Sequence, residues 1–307
     1  MSLKIAVIGE GVIDRFIEDD GINDVIGGSS LNTAVALSRS GVQTLWWGRM
    51  SSGAEGSALV TYAKDNQVSG EGVLVVDAPA SIVTISLDAH GVPTYGFALE
   101  GASDWGWTED ELKPLSSYDV IHCGSLTSVL EPGSSALLKI VRERNPETTL
   151  VTYDPNARPL AAATQEQADF MRQRAIEFVT ASNFVKVSDE DLEWLSPDAA
   201  PASTAALWST QGPTAVVMTR GAHGAAAFVN GEMVTEVPGV KVDVVDTVGA
   251  GDTFMAWLIS GLITDHNRVV PTDAQALHLL MDRAAVAAAI NCSRKGCVPP
   301  FAAEVNL

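Results

Sequence analysis

The chain has 307 residues, 46% of them hydrophobic and 19% charged, with a formal net charge of −19. Such a length allows about two domains of ~150 residues or one large α/β domain, and the apolar fraction excludes a disordered chain, a disulfide-stapled mini-protein and a collagen-like fibre. Acidic residues outnumber basic ones 38 to 19 and no basic stripe interrupts them, so neither a nucleic acid nor a membrane surface is expected as partner.

Three cysteines, Cys123, Cys292 and Cys297, form no Cys-x-x-Cys pair and read as free thiols of a reducing, cytoplasmic setting. The first residues show no signal-peptide pattern, and no apolar run approaches the roughly 18 residues of a membrane span. The five histidines, at 90, 122, 223, 266 and 278, are scattered without metal spacing and read as structural or solvated.

In chain order, Ile5 to Ile8 is a short apolar run ending at Gly9, the pattern of a strand buried on both faces. Residues 11–26 alternate as a half-exposed strand pair. Gly27-Gly28-Ser29-Ser30 breaks the chain before a helix over Asn32 to Ser40 that Gly41 ends. A strand over Thr44–Trp47 and a helix over Glu55–Asn66 follow. Residues 72–99 carry three strand candidates, Val73–Val76, Ser81–Leu87 and Thr94–Leu99, with Pro79 and the turn His90-Gly91-Val92-Pro93 between them and no helix. They read as an antiparallel insertion. From Val120 onward strands and helices alternate, a hairpin turns at Asn230-Gly231, and two helices, near 252–263 and 273–290, close the chain.

This alternation predicts an α/β fold, doubly wound, with a mainly parallel sheet covered by helices on both faces. Residues 1–11, 27–71 and 100–307 would form that core, and residues 12–26 and 72–99 a small β lid.

Two segments carry the chemistry. In Asp246-Thr247-Val248-Gly249-Ala250-Gly251-Asp252-Thr253, glycines flank a small residue just before an apolar helix. Backbone N–H groups at the positive end of a helix make an anion site. Asp252 at that spot can take a proton from an attacking hydroxyl, the pairing that phosphoryl transfer to an alcohol needs; a plain helix cap is the other reading. The second segment, Gly27-Gly28-Ser29-Ser30-Leu31-Asn32-Thr33-Ala34, is a flexible turn into a helix, in which the glycines permit close approach and Asn32 offers an amide.

Together these segments resemble the ribokinase-like carbohydrate kinases of the phosphofructokinase-B family, which carry Gly-Gly-x-x-x-Asn-x-Ala and Asp-Thr-x-Gly-Ala-Gly-Asp motifs in this order. The resemblance covers the whole chain. It implies an ATP-dependent sugar kinase with Asp252 as catalytic base and Gly249, Ala250 and Gly251 as anion hole for the γ-phosphoryl group. Thr219, Gly221 and Gly224 would belong to the ATP phosphate turn, and Lys186, Ser188 and Asn291 to the nucleotide site. Asp191 stands where the family has a glutamate ordering magnesium-bound water, and is one methylene shorter. A monovalent cation, usually potassium, would be held by the loops of Asp246, Val248, Asn291 and Gly296.

On the sugar side the resemblance implies Asp14, Gly28 and Asn32. Asp154-Pro155-Asn156-Ala157-Arg158 resembles a segment of the fructokinase-like branch, which adds Asn156 and Arg158, and Phe97 of the lid would touch the sugar. Fructose is the first choice of substrate, with ribose, 2-keto-3-deoxygluconate and nucleosides as alternatives. The resemblance also points to a homodimer joined through the lid. Two other readings are a catalytically silent sugar- or partner-binding protein of the same fold, and a dinucleotide-binding dehydrogenase suggested by Gly9-Glu10-Gly11. The latter lacks the third glycine of its fingerprint.

Overall fold

The computed structural model describes residues 3–18, 21–87 and 93–305. The strand β1 (Ile5–Ile8) leads into the hairpin β2 (Val12–Glu18) and β3 (Gly21–Gly27), followed by α1 (Ser29–Arg39) and β4 (Leu45–Trp47). Then come β5 (Arg49–Ser51), α2 (Ala54–Asp65), β6 (Leu74–Val76) and a second hairpin, β7 (Ile82–Leu87) with β8 (Pro93–Ala98). Residues 90–92 of the expected turn lie outside the described residues. After α3 (Glu109–Leu112) the order is β9 (Val120–Gly124), α4 (Gly133–Glu143), β10 (Leu150–Asp154), α5 (Gln165–Ala181), β11 (Phe184–Ser188), α6 (Asp189–Leu195), α7 (Pro201–Trp208) and β12 (Ala215–Thr219). The hairpin β13 (Ala225–Val229) and β14 (Glu232–Val237) and the helices α8 (Ala250–Thr264) and α9 (Ala274–Cys292) complete the chain.

Eight strands form one sheet in the order β14-β13-β12-β11-β10-β9-β1-β4. The six from β12 to β4 are parallel, and β13 and β14 are added antiparallel. Side chains of β1 alternate between two cores. Ile5 and Val7 pack with Leu31 and Leu37 of α1 and with Met255 and Leu258 of α8, whereas Ala6 and Ile8 pack with Leu137 and Val141 of α4 and Phe178 of α5. A strand covered on both faces favours apolar residues at successive positions, which is why β1 reads as a continuous run. The chain turns from one half of the sheet to the other between β1 and β9, and the crevice at the carboxyl ends of such strands is where open α/β sheets bind ligands.

A four-stranded sheet, β3-β2-β7-β8, stands apart from the main one. Its chain crossings meet the core at Gly11, Ser81 and Asp104. Asp104 accepts hydrogen bonds from the Gly11 amide at 3.2 Å and the Ser81 hydroxyl at 2.6 Å. Glu10 beside it accepts from Thr127 Oγ1 at 2.6 Å, and both carboxyls are buried.

One strand departs from expectation. β6 does not join the lid but pairs in parallel with β5, from Arg49↔Leu74 to Ser51↔Val76. The Leu74 amide donates to the Gly48 carbonyl, and Gly72 fits under the Trp47 indole with no room for a side chain. These contacts hold the segment against the core just beyond β4.

Candidate active site

Helix α8 begins at Gly249, whose φ of +73° places it in the left-handed region. Cys297 Sγ packs against it so closely that a Cβ there would lie 2.1 Å from the sulfur. The Ala250 amide turns back to the Thr247 carbonyl, and the first helical bond runs from the Thr253 amide to the Gly249 carbonyl. The Gly251 and Asp252 amides thus belong to the first turn, whose donors have no acceptor within the helix.

Asp252 is buried, and its carboxylate turns toward the amino end of α1. Oδ1 accepts from Ser29 Oγ at 2.7 Å and from Asn156 Nδ2 at 3.1 Å, and Oδ2 accepts from Asn32 Nδ2 at 2.9 Å. Two helix amino termini and the loop after β10 converge on one carboxylate. Asn32 Oδ1 is buried at this place without a partner. A buried unpaired acceptor is unfavourable in isolation and is expected where a ligand supplies the donor.

Beside Gly251 lies Lys186, in the middle of β11. Its Nζ bonds Asp154 Oδ2 at 2.8 Å and sits 2.9 Å from where a Gly251 Cβ would be. Burial works to lower the Lys186 ammonium, and Asp154, with Asp191 and Asp252 further away, overcomes it and raises it above the usual lysine range. Burial lifts the Asp154 carboxyl to about 6, with Lys186 pulling against it. His122, on the neighbouring strand, is pushed down to about 3 by burial and by Lys186, so its ring is neutral beside Thr152 Oγ1 at 3.0 Å.

Ser188 and Asp191 form a reciprocal cap on α6: Ser188 Oγ accepts the Asp191 amide and Asp191 Oδ2 accepts the Ser188 amide. Asp191 Oδ1 accepts the Ala157 amide at 2.8 Å. Both oxygens expected near a metal therefore also fix backbone, and an aspartate is the right length for this cap. Among the described residues no group of three or more His, Cys, Asp or Glu side chains is arranged to hold a metal ion directly.

The loops expected to hold a monovalent cation are drawn together. Asp246 accepts the amides of Val248 at 3.0 Å and Gly296 at 2.9 Å, and these bonds hold its carboxyl below the usual range. The Cys292 carbonyl accepts the Val245 and Asp246 amides. Asn291 is fully buried; its Nδ2 donates to the Val248 carbonyl and its Oδ1 accepts the Val298 amide. Its side chain thus braces the loop, with both polar ends taken by backbone groups.

Thr219 ends β12, its hydroxyl at 3.5 Å from the Val187 carbonyl. Gly221 and Gly224 both take positive φ in the turn that follows. Gly224 lies against the Val237 carbonyl, leaving no space for a side chain. Its amide returns to Gly221, so its visible role is to close the turn.

At the lid, Asp14 of β2 pairs with Val25 of β3 and packs on Gly27. Burial raises it to about 6, and Arg158 opposes the shift. Gly28, at φ +100°, lies where a Cβ would meet the Glu10 carbonyl at 2.7 Å, so its freedom serves the crossing of the chain over residues 10–12. Arg158 is exposed and donates to Asn156 Oδ1 and to two carbonyls. The backbone of Phe97 lies in β8 opposite Val83; its side chain is outside the described part of the structure. Ser29 and Asp154 belong to motifs singled out in the sequence, yet their site roles were missed: a hydroxyl at a helix start and an aspartate at a strand end both read as local caps.

The family model for pfkB family carbohydrate kinase matches residues 2–303. A fructokinase of Rhizobium leguminosarum bv. trifolii is 31% identical over 283 residues, 89% of this chain and 85% of its own length. Among solved structures, a fructokinase with bound ATP from Xylella fastidiosa superposes with a TM-score of 0.87 at 20% identity, covering 99% of this chain and 97% of that one. A fructokinase double mutant from Vibrio cholerae O395, in a form with fructose, ADP and potassium ion, gives 0.79 at 21% identity over 96% and 94%. These last two show the fold. With the Gly-Ala-Gly-Asp turn at the helix mouth and the match along the chain, this protein belongs to the pfkB family of carbohydrate kinases.

Proposed function

We propose that the protein transfers the γ-phosphoryl group of ATP to a hydroxyl of fructose, with Asp252 as general base. The observation that carries this reading is the placement of the Asp252 carboxylate beside the free first-turn amides of α8, facing the unpaired Asn32 Oδ1. The name of the 31% identical relative favours fructose.

Oδ1 of Asp252 already has two donors, whereas Oδ2 has one and keeps a lone pair. A sugar hydroxyl lying there gives its proton to Oδ2 as its oxygen forms a bond to the γ-phosphorus, and the bond from that phosphorus to the bridging oxygen of ADP breaks. Asn32 Oδ1 accepts a second sugar hydroxyl, and Asp14 a third from the lid. The Gly251 and Asp252 amides, with the Lys186 charge behind Gly251, receive the negative charge of the transferring group.

The residues present fit metal ions held through water and phosphate rather than by a side-chain cage. Asp154, Asp191 and Asp252 carry more negative charge than Lys186 balances, an excess suited to a divalent ion such as Mg2+ arriving with the nucleotide. When bound, that ion would supply charge neutralisation on the phosphates. Carbonyls of the braced loops at Asp246, Val248, Asn291 and Gly296 fit a monovalent ion such as K+, which would stiffen the mouth of α8.

A coupled ADP-release assay over fructose, ribose, 2-keto-3-deoxygluconate and adenosine tests the reading. Fructose should give the highest kcat/KM, and Asp252→Asn should lower kcat by about 10²–10⁴-fold. Sugar binding by calorimetry without ADP release from any of the four would overturn it in favour of a silent binding protein.

A further inference from the structure

We propose that Ser29 is a positioning residue for the base: its hydroxyl, held between Asn156 and Asp252, sets the carboxylate so that Oδ2 meets the sugar. This rests on the reading of Asp252 given above. Ser29 Oγ donates its only hydrogen to Asp252 Oδ1 at 2.7 Å and accepts from Asn156 Nδ2 at 2.7 Å. Asn156 also reaches Oδ1 itself, at 3.1 Å. The closed triangle joins α1, the loop after β10 and α8, three elements distant in sequence. The terminal torsion of an aspartate is broad, so its orientation is set by whatever holds its oxygens. Without Ser29, Oδ1 would keep only the longer of its two bonds.

A purely local duty for this hydroxyl does not fit. Gly28 stands at the cap position of α1, and no side chain caps that end. The Ser29 side chain is buried, and its recorded bonds go to Asp252 and Asn156. With its hydrogen committed to Asp252, it has no donor left for a sugar hydroxyl. Its removal should therefore affect turnover more than substrate affinity.

The test compares Ser29→Ala, Ser29→Thr, Ser30→Ala and Asp252→Asn in the full chain, with fructose and ATP, by ADP release. Ser29→Ala should lower kcat about 10- to 100-fold while the KM values for fructose and ATP stay within about twofold, since misplacing a reacting group acts on the chemical step. Ser29→Thr, which keeps the hydroxyl, should restore most of kcat. Ser30→Ala, whose lost hydroxyl bonds the Ile8 carbonyl, should leave kcat in place. If Ser29→Ala does not fold, Ser29→Cys, of similar size and a weak donor, carries the same measurement. A raised fructose KM with kcat intact would make Ser29 a substrate contact and overturn the proposal, as would unchanged kcat. An active Asp252→Asn sinks the base reading itself; an inactive Asp252→Asn with a fully active Ser29→Ala sinks only the role of Ser29.

Discussion

Lys186 and Asp154 form a 2.8 Å ion pair whose side chains are 4% and 2% exposed, and the ammonium end of that pair rests against Gly251 at the mouth of α8. The pair ties β10 to β11 and points a fixed positive charge at the place assigned to the phosphoryl group. Removing one partner leaves the other charge buried alone. Lys186→Met should therefore lower the unfolding free energy by about 3–5 kcal/mol in urea titrations, and adding Asp154→Leu should recover much of that loss. Equal stability of the single and double variants would show that the charges are not coupled.

The buried Asp104 carboxyl, where the small sheet meets the core, makes stability depend on pH. Burial pushes Asp104 up to about 7, with the Ser81 hydroxyl opposing and Glu10 adding to the rise. The unfolded chain releases this proton near its ordinary value of about 4, so between roughly pH 4 and 7 the folded state binds more protons. Stability should fall as pH rises through that window and level off above it. Asp14 and Asp154, raised to about 6, act in the same direction over the lower part of the range. Asp104→Asn mimics the neutral acid and should flatten the upper part of the fall, seen as a smaller drop in urea midpoint between pH 6 and pH 8.

Asp14 predicts a different pH effect, on affinity. A charged acceptor holds a hydroxyl more strongly than a neutral one, by about 1 kcal/mol. As pH falls through about 6, Asp14 gains a proton, and the KM for sugar should rise several-fold while that for ATP holds. In Asp14→Asn the sugar KM should be high at pH 8 and nearly flat with pH. A parallel rise in both KM values would place the titrating group elsewhere.

Much of this architecture could be read from the residues, for a physical reason. Ile5–Ile8 meets a core on each face, so every position is apolar and the run stands out, and the later parallel strands keep that pattern apart from polar members such as His122, Thr152 and Lys186. β6 was expected in the lid, because three residues of alternating burial do not say which edge they pair with; it pairs with β5, where Gly72 fits under Trp47. At the site, the turn before Asp252 was legible because glycine spacing is a backbone requirement. Ser29 and Asp154 were not, since their roles depend on partners about 30 to 220 residues away in sequence. Asp191, which the family resemblance sets near metal-bound water, also caps α6 and holds the Ala157 amide, a backbone duty that only the folded chain shows.

The two glycines at the mouth of α8 separate backbone strain from ligand geometry. At Gly249 an alanine meets two obstacles: φ is +73°, and the new Cβ would lie 2.1 Å from Cys297 Sγ and 2.8 Å from its Cβ. Gly249→Ala should destabilise the fold by about 1–3 kcal/mol. Cys297→Ala should rescue it only in part, because neither the backbone strain nor the Cβ contact is relieved. Gly251 lies in the right-handed first turn, and there an added Cβ meets Lys186 Nζ at 2.9 Å, the far end of a flexible side chain. That end is bound to Asp154, so it can yield only by weakening the ion pair. Gly251→Ala should therefore keep most of its melting temperature while the KM for ATP rises and kcat falls. A Gly251→Ala protein with unchanged ATP kinetics would mean that Lys186 and the Gly251 amide do not receive the nucleotide phosphates.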